Sequence, residues 1–162
     1  QLKSLGRQYS SYYANDALAL RLWLQKMSSV DSTNTLVLEF PSAVRLIHQG
    51  RLDSARTKLW HMSESEDPFS SISIELLYEV EDDLPRYLDK LNTYLDAMNS
   101  RMLKEQLFWL RARTASHLYE SVSTTLTSET VYDYYERLVL EFPSGFFAPM
   151  AREKLQELNL AL

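Results

Sequence analysis

Apolar residues recur every three or four positions along most of this chain, which is the spacing that places side chains on one face of an α-helix. A clear run contains Val131, Tyr135, Leu138 and Phe142, at steps of four, three and four residues. Turn-forming residues are scarce, with 3 glycines and 5 prolines among 162 residues. Such a shortage favours a few long helices over many short strands, so the pattern predicts an all-α fold.

The predicted helices follow one another with mostly short connections, as in antiparallel helical hairpins. The first is one long helix, or two abutting ones, that ends near Ser28 and Ser29. The later helices are expected at Ser42–Gln49, Asp53–Met62, Phe69–Val80, Pro85–Met98, Arg101–Tyr119, Ser128–Phe142 and Pro149–Leu162. We expect Gly50 to follow its helix in a left-handed conformation. We expect Ser128 to cap the start of its own helix.

The segment Leu36–Phe40 fits two interpretations. Taken alone, its apolar and β-branched residues are typical of a strand. Helix is the alternative, because the segment lies among helical patterns. Proline is tolerated in the first turn of a helix but not in its interior. Pro41 is therefore expected to mark a boundary, with a short helix starting at Ser42.

The seven residues LVLEFPS occur twice, at Leu36–Ser42 and at Leu138–Ser144. The copies start 102 positions apart (138 − 36), which is three times the 34-residue period of one helical-hairpin repeat. Either a degenerate repeat has been duplicated, or two helix–loop–helix joints coincide by chance. In both cases Leu and Val would pack on neighbouring helices, Phe would close the joint, and Ser would satisfy free backbone amides.

Two segments resemble the tetratricopeptide repeat, a helical hairpin that stacks into solenoids. In the segment Ile47–Pro68, the positions that match the repeat signature are Gly50, Leu52, Ala55, Leu59, Met62 and Pro68. The segment Tyr134–Leu155 is similar to the repeats of bacterial envelope adaptors, such as the lipoprotein subunit of the barrel-assembly machinery and the Tol-Pal coordinator. In those repeats an apolar helix end, an aromatic residue, proline and a polar residue precede a helix that begins near an alanine.

The resemblance implies that residues 1–162 form a single domain, built as a short solenoid similar to tetratricopeptide-repeat proteins. It also implies a non-catalytic adaptor that binds a partner peptide or helix on a concave face. An envelope or periplasmic location follows from the resemblance as well, while a cytoplasmic location and an oligomeric state remain open. The chain begins at Gln1, so we expect a fragment or a processed form of a longer chain.

Composition removes several classes of function. The net charge is −5 and no basic run is present, which argues against a nucleic-acid partner because phosphate binding requires a positive patch. The chain has no cysteine, so disulfides, thiol catalysis and thiolate metal sites are excluded. Its apolar runs are much shorter than the roughly 20 residues that span a bilayer, so no direct membrane insertion is expected.

The residue types of a catalytic, metal or cofactor site do not occur at the required spacings. The three histidines, His48, His61 and His117, fall on three separate predicted helices without a second ligand one turn away. A glycine-rich phosphate loop and a nucleophile elbow are also missing. We therefore expect no enzyme activity, no metal and no cofactor.

One helical strip has the composition of a binding surface. Gln106, Trp109, Arg113 and Ser116 follow one another at three- and four-residue steps, offset from the main apolar face of the predicted helix. A tryptophan among polar groups is a common interface anchor. An earlier helix of the same type would place Arg45 and Gln49 on the same concave face. The alternative is that Trp109 packs against a neighbouring hairpin and Arg113 is merely solvated.

Two further interpretations remain open at this stage. The chain could be a compact helical bundle that binds a small molecule, with some of its ten tyrosines lining a pocket. It could also be a structural subunit that docks into a larger assembly through its acidic surface. The tyrosines cluster at 9–13, 87–94 and 132–135. Packing between helices in the core is the ordinary role of such residues, and a peptide-binding surface is the more specific alternative.

Overall fold

The computed structural model describes residues 35–97, 104–121 and 126–161, and this part of the chain contains seven helices and no strand. They are α1 (Thr35–His48), α2 (Leu52–Met62), α3 (Phe69–Leu77), α4 (Leu84–Ala97), α5 (Lys104–Glu120), α6 (Ser128–Glu141) and α7 (Ala148–Ala161). Four consecutive pairs pack together: α1 with α2, α4 with α5, α5 with α6, and α6 with α7. The predicted all-α arrangement of helical hairpins is confirmed. The helix expected before Ser28 lies outside the described residues.

The chain divides into two compact units, residues 1–72 and 73–162, with the division inside α3. In the first unit, Met62 and Phe69 form a buried cluster on which Leu36, Val37, Phe40 and Ile72 pack. Ala55 and Leu59 on α2 are fully buried. Both are among the positions on which the resemblance to the tetratricopeptide repeat depends.

The second unit has α5 at its centre, because α5 packs on both α4 and α6. Leu107, Leu110, Thr114 and Leu118 follow one another at three- and four-residue steps, and all four are buried. Phe108, Ala112 and Ala115 beside that face are buried too. A helix that is covered on most sides is expected to be apolar around most of its circumference. α5 departs from this expectation, since about half of its residues are polar and two of them, Arg111 and Thr114, are buried.

Most helix ends agree with the sequence pattern. Gly50 has φ +69°, the left-handed conformation that glycine adopts without steric cost. Asp83 accepts a hydrogen bond from the backbone N–H of Arg86 at 3.1 Å, so an acidic residue satisfies the start of α4. The predicted cap Ser128 is wrong by one residue. Thr127 is the cap of α6, and its hydroxyl accepts from the Thr130 N–H at 3.2 Å.

The predicted boundary at Pro41 is wrong, because α1 begins at Thr35 and continues through the proline. Pro41 has no N–H to donate to the carbonyl of Val37, which is unfavourable in a helix interior. Leu36, Val37 and Phe40 compensate by packing on the Met62–Phe69 cluster, since their spacing puts them on one helical face. The strand interpretation of Leu36–Phe40 is likewise wrong. The predicted end of another helix is wrong as well, because α3 stops at Leu77, three residues before the predicted Val80.

Arg111 is a buried charge that the sequence pattern does not reveal. Its side chain is only 1% exposed. The guanidinium carbon lies over the rings of Phe108 and Tyr134, at 4.6 and 4.5 Å from their centroids. Burial lowers the pKa of Arg111 to about 10, so the group stays charged at neutral pH. Stacking on two electron-rich ring faces offsets part of the cost of removing this charge from water.

Candidate functional site

Three members of the predicted strip meet in a groove on the second unit. Trp109, Arg113 and Ser116 of α5 line a depression of about 390 Å³ together with residues of neighbouring elements. The remaining lining residues are Tyr78, His117, Glu120, Tyr135 and Lys154. The groove therefore combines aromatic faces with both signs of charge, drawn from the end of α3 and from α5, α6 and α7.

Trp109 forms an aromatic platform in this groove. Its ring stacks on Phe147 at 5.3 Å with an interplanar angle of 12°. It also meets the edge of Tyr135 at 5.9 Å. The side chain is half-buried, so one part of the ring is packed against the connection between α6 and α7. The packing that sequence analysis offered as the alternative for Trp109 is present, and the residue lines the groove as well.

The connection between α6 and α7 is held in place by Glu105. The Glu105 carboxylate accepts a hydrogen bond from the Phe147 N–H at 2.7 Å. It lies so close to Gly145 that an added Cβ atom there would collide with it. Hydrogen bonds to a charged acceptor are stronger than neutral ones. Glu105 therefore fixes the backbone that presents Phe147 to Trp109.

Arg113 is an exposed cation held by aromatic rings. Its guanidinium carbon lies 5.5 Å from the centroid of Tyr78 and 5.8 Å from that of Trp109. Among the residues that the structure describes, none of the carboxylates is within ion-pair distance of it. A guanidinium that rests on rings still presents its N–H fork at the edge. The rings thus orient Arg113, but its guanidinium N–H groups form no hydrogen bond with the described part of the chain.

Ser116 and Gln106 each form a hydrogen bond to a residue of a neighbouring helix. The Ser116 hydroxyl donates to the Tyr135 hydroxyl oxygen at 3.1 Å. Burial raises the pKa of Tyr135, and the hydrogen bond from Ser116 partly opposes that rise. The Gln106 amide donates to the carboxylate of Glu75, whose pKa is raised by burial. Gln106 does not line the groove, and it ties α5 to α3.

Arg45 is exposed on α1, and Gln49 is exposed directly after the end of this helix. Both belong to the first unit, whereas the strip on α5 belongs to the second. Their predicted contribution to a shared concave face stays a prediction.

A second depression of about 560 Å³ adjoins the first, since Tyr78, Arg113 and His117 line both. Its other lining residues are Glu81, Asp82, Leu84 and Thr114. The acidic side chains come from the connection between α3 and α4. We call the two depressions together the Arg113 groove. Trp109 and Tyr135 line only the smaller depression, and Glu81 and Asp82 line only the larger one.

Sequence analysis did not include five lining residues of the smaller depression in the strip: Tyr78, His117, Glu120, Tyr135 and Lys154. His117 and Glu120 had a usable signal, because they lie four and seven residues after Arg113 and so on the same helical face. The other three lie on different helices or turns, and periodicity within one helix carries no information about them. Only the packing of α5 against its neighbours places them beside Arg113.

No group of three or more metal-ligating side chains converges anywhere in residues 35–97, 104–121 and 126–161. Within the same residues, no helix has the length and apolar character to cross a bilayer. The buried hydroxyl of Tyr135 already accepts from Ser116, and the carboxylate of Glu105 already accepts from Phe147. These groups position the groove walls.

Comparison of the chain with protein-family models, with curated proteins and with solved structures gives no match. The resemblance to tetratricopeptide repeats therefore rests on the residues quoted for it. Function has to be argued from the Arg113 groove itself.

Proposed function

We propose that this protein is a non-catalytic interaction module that binds a segment of a partner protein in the Arg113 groove. The observation that carries the proposal is Arg113 itself, an exposed guanidinium that two rings orient and that no described carboxylate engages. Tryptophan and arginine are the residue types most enriched among interface hot spots. In the groove they lie side by side, with the arginine over the tryptophan ring.

The side chains of the groove walls are already held in place, which supports a role in binding. Trp109 is held between Phe147 and Tyr135, and Glu105 and Ser116 hold those two aromatic residues from behind. Side chains that are already ordered lose little conformational entropy when a partner arrives. The two adjoining depressions share Tyr78, Arg113 and His117, and such a surface suits an extended segment or a helix.

The same proposal includes a repeat architecture. We infer that the helical hairpins are degenerate relatives of the tetratricopeptide repeat, in which an extended face of stacked helices binds peptides. The supporting features are the packing of consecutive helices, the left-handed Gly50 after α1 and the buried Ala55 on α2. Gly50 and Ala55 are two of the positions on which the resemblance depends.

Selection of random peptides displayed on phage tests the proposal, because it needs no knowledge of the natural partner. Peptides selected on the wild-type chain are measured again on a His117→Trp variant, whose larger side chain would fill the groove where both depressions meet. His117 is exposed, so folding is expected to change by less than about 0.5 kcal/mol. Arg137→Trp is the matched control, since Arg137 is exposed and does not line the groove.

We expect binding of the selected peptides to weaken at least about ten-fold on His117→Trp, since steric exclusion removes more than 1.4 kcal/mol of contact energy. Binding to Arg137→Trp should match wild type. Peptides that bind both variants as tightly as wild type would show that the Arg113 groove is not the interaction site. Far-ultraviolet circular dichroism of each variant verifies that the helices are retained.

A further inference from the structure

Two arginines lie beside each other where α5 packs on α6, outside the Arg113 groove. They are Arg111, which is buried on α5, and Arg137, which is exposed on α6. We propose that these two side chains together bind a small oxyanion of the phosphate class that carries two negative charges. This site is independent of the function proposed above, because neither arginine lines the groove.

Each of the two helices contributes one ring and one guanidinium group to this site. Phe108 and Arg111 lie three residues apart on α5, and Tyr134 and Arg137 lie three residues apart on α6. The guanidinium carbon of Arg111 lies 4.6 Å from the Phe108 centroid and 4.5 Å from that of Tyr134. The guanidinium carbon of Arg137 lies 5.8 Å from the Phe108 centroid. Both cations are therefore held against the same phenylalanine ring.

The hydrogen-bonding edge of Arg111 fits a ligand with two oxygen atoms. Its Nε and Nη2 atoms are buried, and neither forms a hydrogen bond with the described part of the chain. The N–H groups of these two nitrogens lie side by side on one edge of the guanidinium, which is the fork that a carboxylate or phosphate accepts with two oxygens. Buried donors without an acceptor are unfavourable. A single oxyanion would satisfy both.

The charges of the two arginines favour a ligand with two negative charges. Within residues 35–97, 104–121 and 126–161, no carboxylate lies at ion-pair distance from Arg111 or Arg137. Burial is the main cause of the lowered pKa of Arg111, the charge of Arg137 adds to it, and Asp96 has the smallest effect in the opposite direction. Two cations that are close together and not paired repel each other. A dianion would neutralise both.

The burial of Arg111 restricts the ligand to a small ion. Its side chain is only 1% exposed, so an anionic side chain of a partner protein could not reach the fork without separating α5 from α6. A free ion of phosphate size needs only local shifts of side chains, and the exposed Arg137 provides the side that faces solvent. A water molecule could also accept from the fork, but it would leave both charges uncompensated.

Isothermal titration calorimetry with sodium phosphate tests the inference, at constant ionic strength and at a mildly alkaline pH where phosphate is a dianion. We expect the wild-type chain to bind a single phosphate. Arg137→Met should weaken binding at least about ten-fold, because one of the two cations is lost. Arg111→Met should abolish it. Arg45→Met is the matched control, since Arg45 is exposed on α1, and it should bind phosphate as the wild type does.

Other anions test the charge and the size of the ligand. Sulfate also carries two charges and should bind about as tightly as phosphate. Acetate and chloride carry one charge each and should bind at least about ten-fold more weakly. Phenyl phosphate should bind more weakly too, because its ring does not fit a buried site. Tight binding of acetate would overturn the assignment to a dianion, and equal binding of phenyl phosphate would overturn the assignment to a free ion.

Thermal unfolding provides a second readout, because a ligand that binds only the folded chain raises the midpoint of unfolding. Phosphate should raise the midpoint of wild type and of Arg45→Met by more than that of Arg111→Met. This comparison removes the general stabilisation that phosphate gives to many proteins. Arg137 is exposed, so Arg137→Met is expected to fold, and it decides the question by itself if Arg111→Met does not fold.

Two results would overturn the inference. The first is that wild type shows no heat of binding at millimolar phosphate. The second is that wild type, Arg137→Met and Arg45→Met bind phosphate equally, which would show an adventitious ion only. Circular dichroism of each variant verifies that the helices are retained. Neither result bears on peptide binding in the Arg113 groove.

Discussion

The two copies of LVLEFPS have the same seven residues and different backbones. In the first copy α1 runs straight through Pro41, whereas in the second copy α6 ends at Glu141, two residues before the proline. Burial is matched at some positions only. Leu38 and Leu140, the third residue of each copy, are 74% and 72% exposed, whereas Leu36 is half-buried and Leu138 is fully buried. The shared residues thus agree in their exposed leucine but not in the path of the chain.

The phenylalanine of each copy points into its own unit. Phe40 packs on the Met62–Phe69 cluster, and Phe142 meets Phe108 edge to face at 5.8 Å. The residues that follow the copies are what differ. Ala43 is fully buried inside α1. Gly145 occupies the matching place in the second copy, where a side chain would collide with Glu105.

The largest expected effect on stability is at the phenylalanine that the two copies share. Phe40→Ala and Phe142→Ala should each lower the free energy of unfolding by about 2–4 kcal/mol, because each removes a half-buried ring from packed neighbours. Urea denaturation followed by circular dichroism measures both. A loss below about 1 kcal/mol at either site would mean that the two copies do not share their inward contact.

The next effect has opposite signs in the two copies. Pro41→Ala should raise the free energy of unfolding by about 2 kcal/mol, since it restores a helical hydrogen bond and removes a steric conflict in α1. Pro143→Ala should lower it by about 0.4–1 kcal/mol, because proline in a connection restricts the unfolded chain. Thermal unfolding shows whether each variant is more or less stable than the wild-type chain. Destabilisation by Pro41→Ala would contradict a continuous α1.

A smaller effect on stability is expected at Gly145, the residue that follows the second copy. Gly145→Ala should cost about 1–2 kcal/mol, because the Glu105 carboxylate has to leave the Phe147 N–H. In a Glu105→Ala background the same change should cost much less, and a double-mutant cycle measures that coupling. Equal costs in the two backgrounds would show that Glu105 does not hold the connection between α6 and α7.

The smallest effect concerns the exposed leucines. Leu38→Ser and Leu140→Ser should each change stability by less than about 0.5 kcal/mol, because surface substitutions seldom do more. Chemical denaturation of both variants provides the measurement. A loss above about 1 kcal/mol in only one copy would reveal a covering contact there that is missing in the other.

Much of the helical pattern follows from local information. The bounds of α2, α4 and α6 lie within two residues of their predicted places, since apolar periodicity and turn residues act over short distances. Pro41 misled the prediction because tertiary packing of Phe40 outweighs a local preference. The residues around Arg113 could not be predicted for a related reason. Tyr78 and Tyr135 approach it only through the packing of separate helices.

The hydrogen bond between Glu105 and Phe147 joins residues 42 positions apart, and this separation has a consequence for the order of folding. Contacts within a hairpin close short loops and form early, whereas contacts over long separations wait until the intervening elements have docked. The platform of Trp109 on Phe147 should therefore assemble after α5 and α6 have paired. A nascent chain that has emerged only as far as α6 would hold its hairpins and still lack the aromatic platform of the groove proposed to bind a partner.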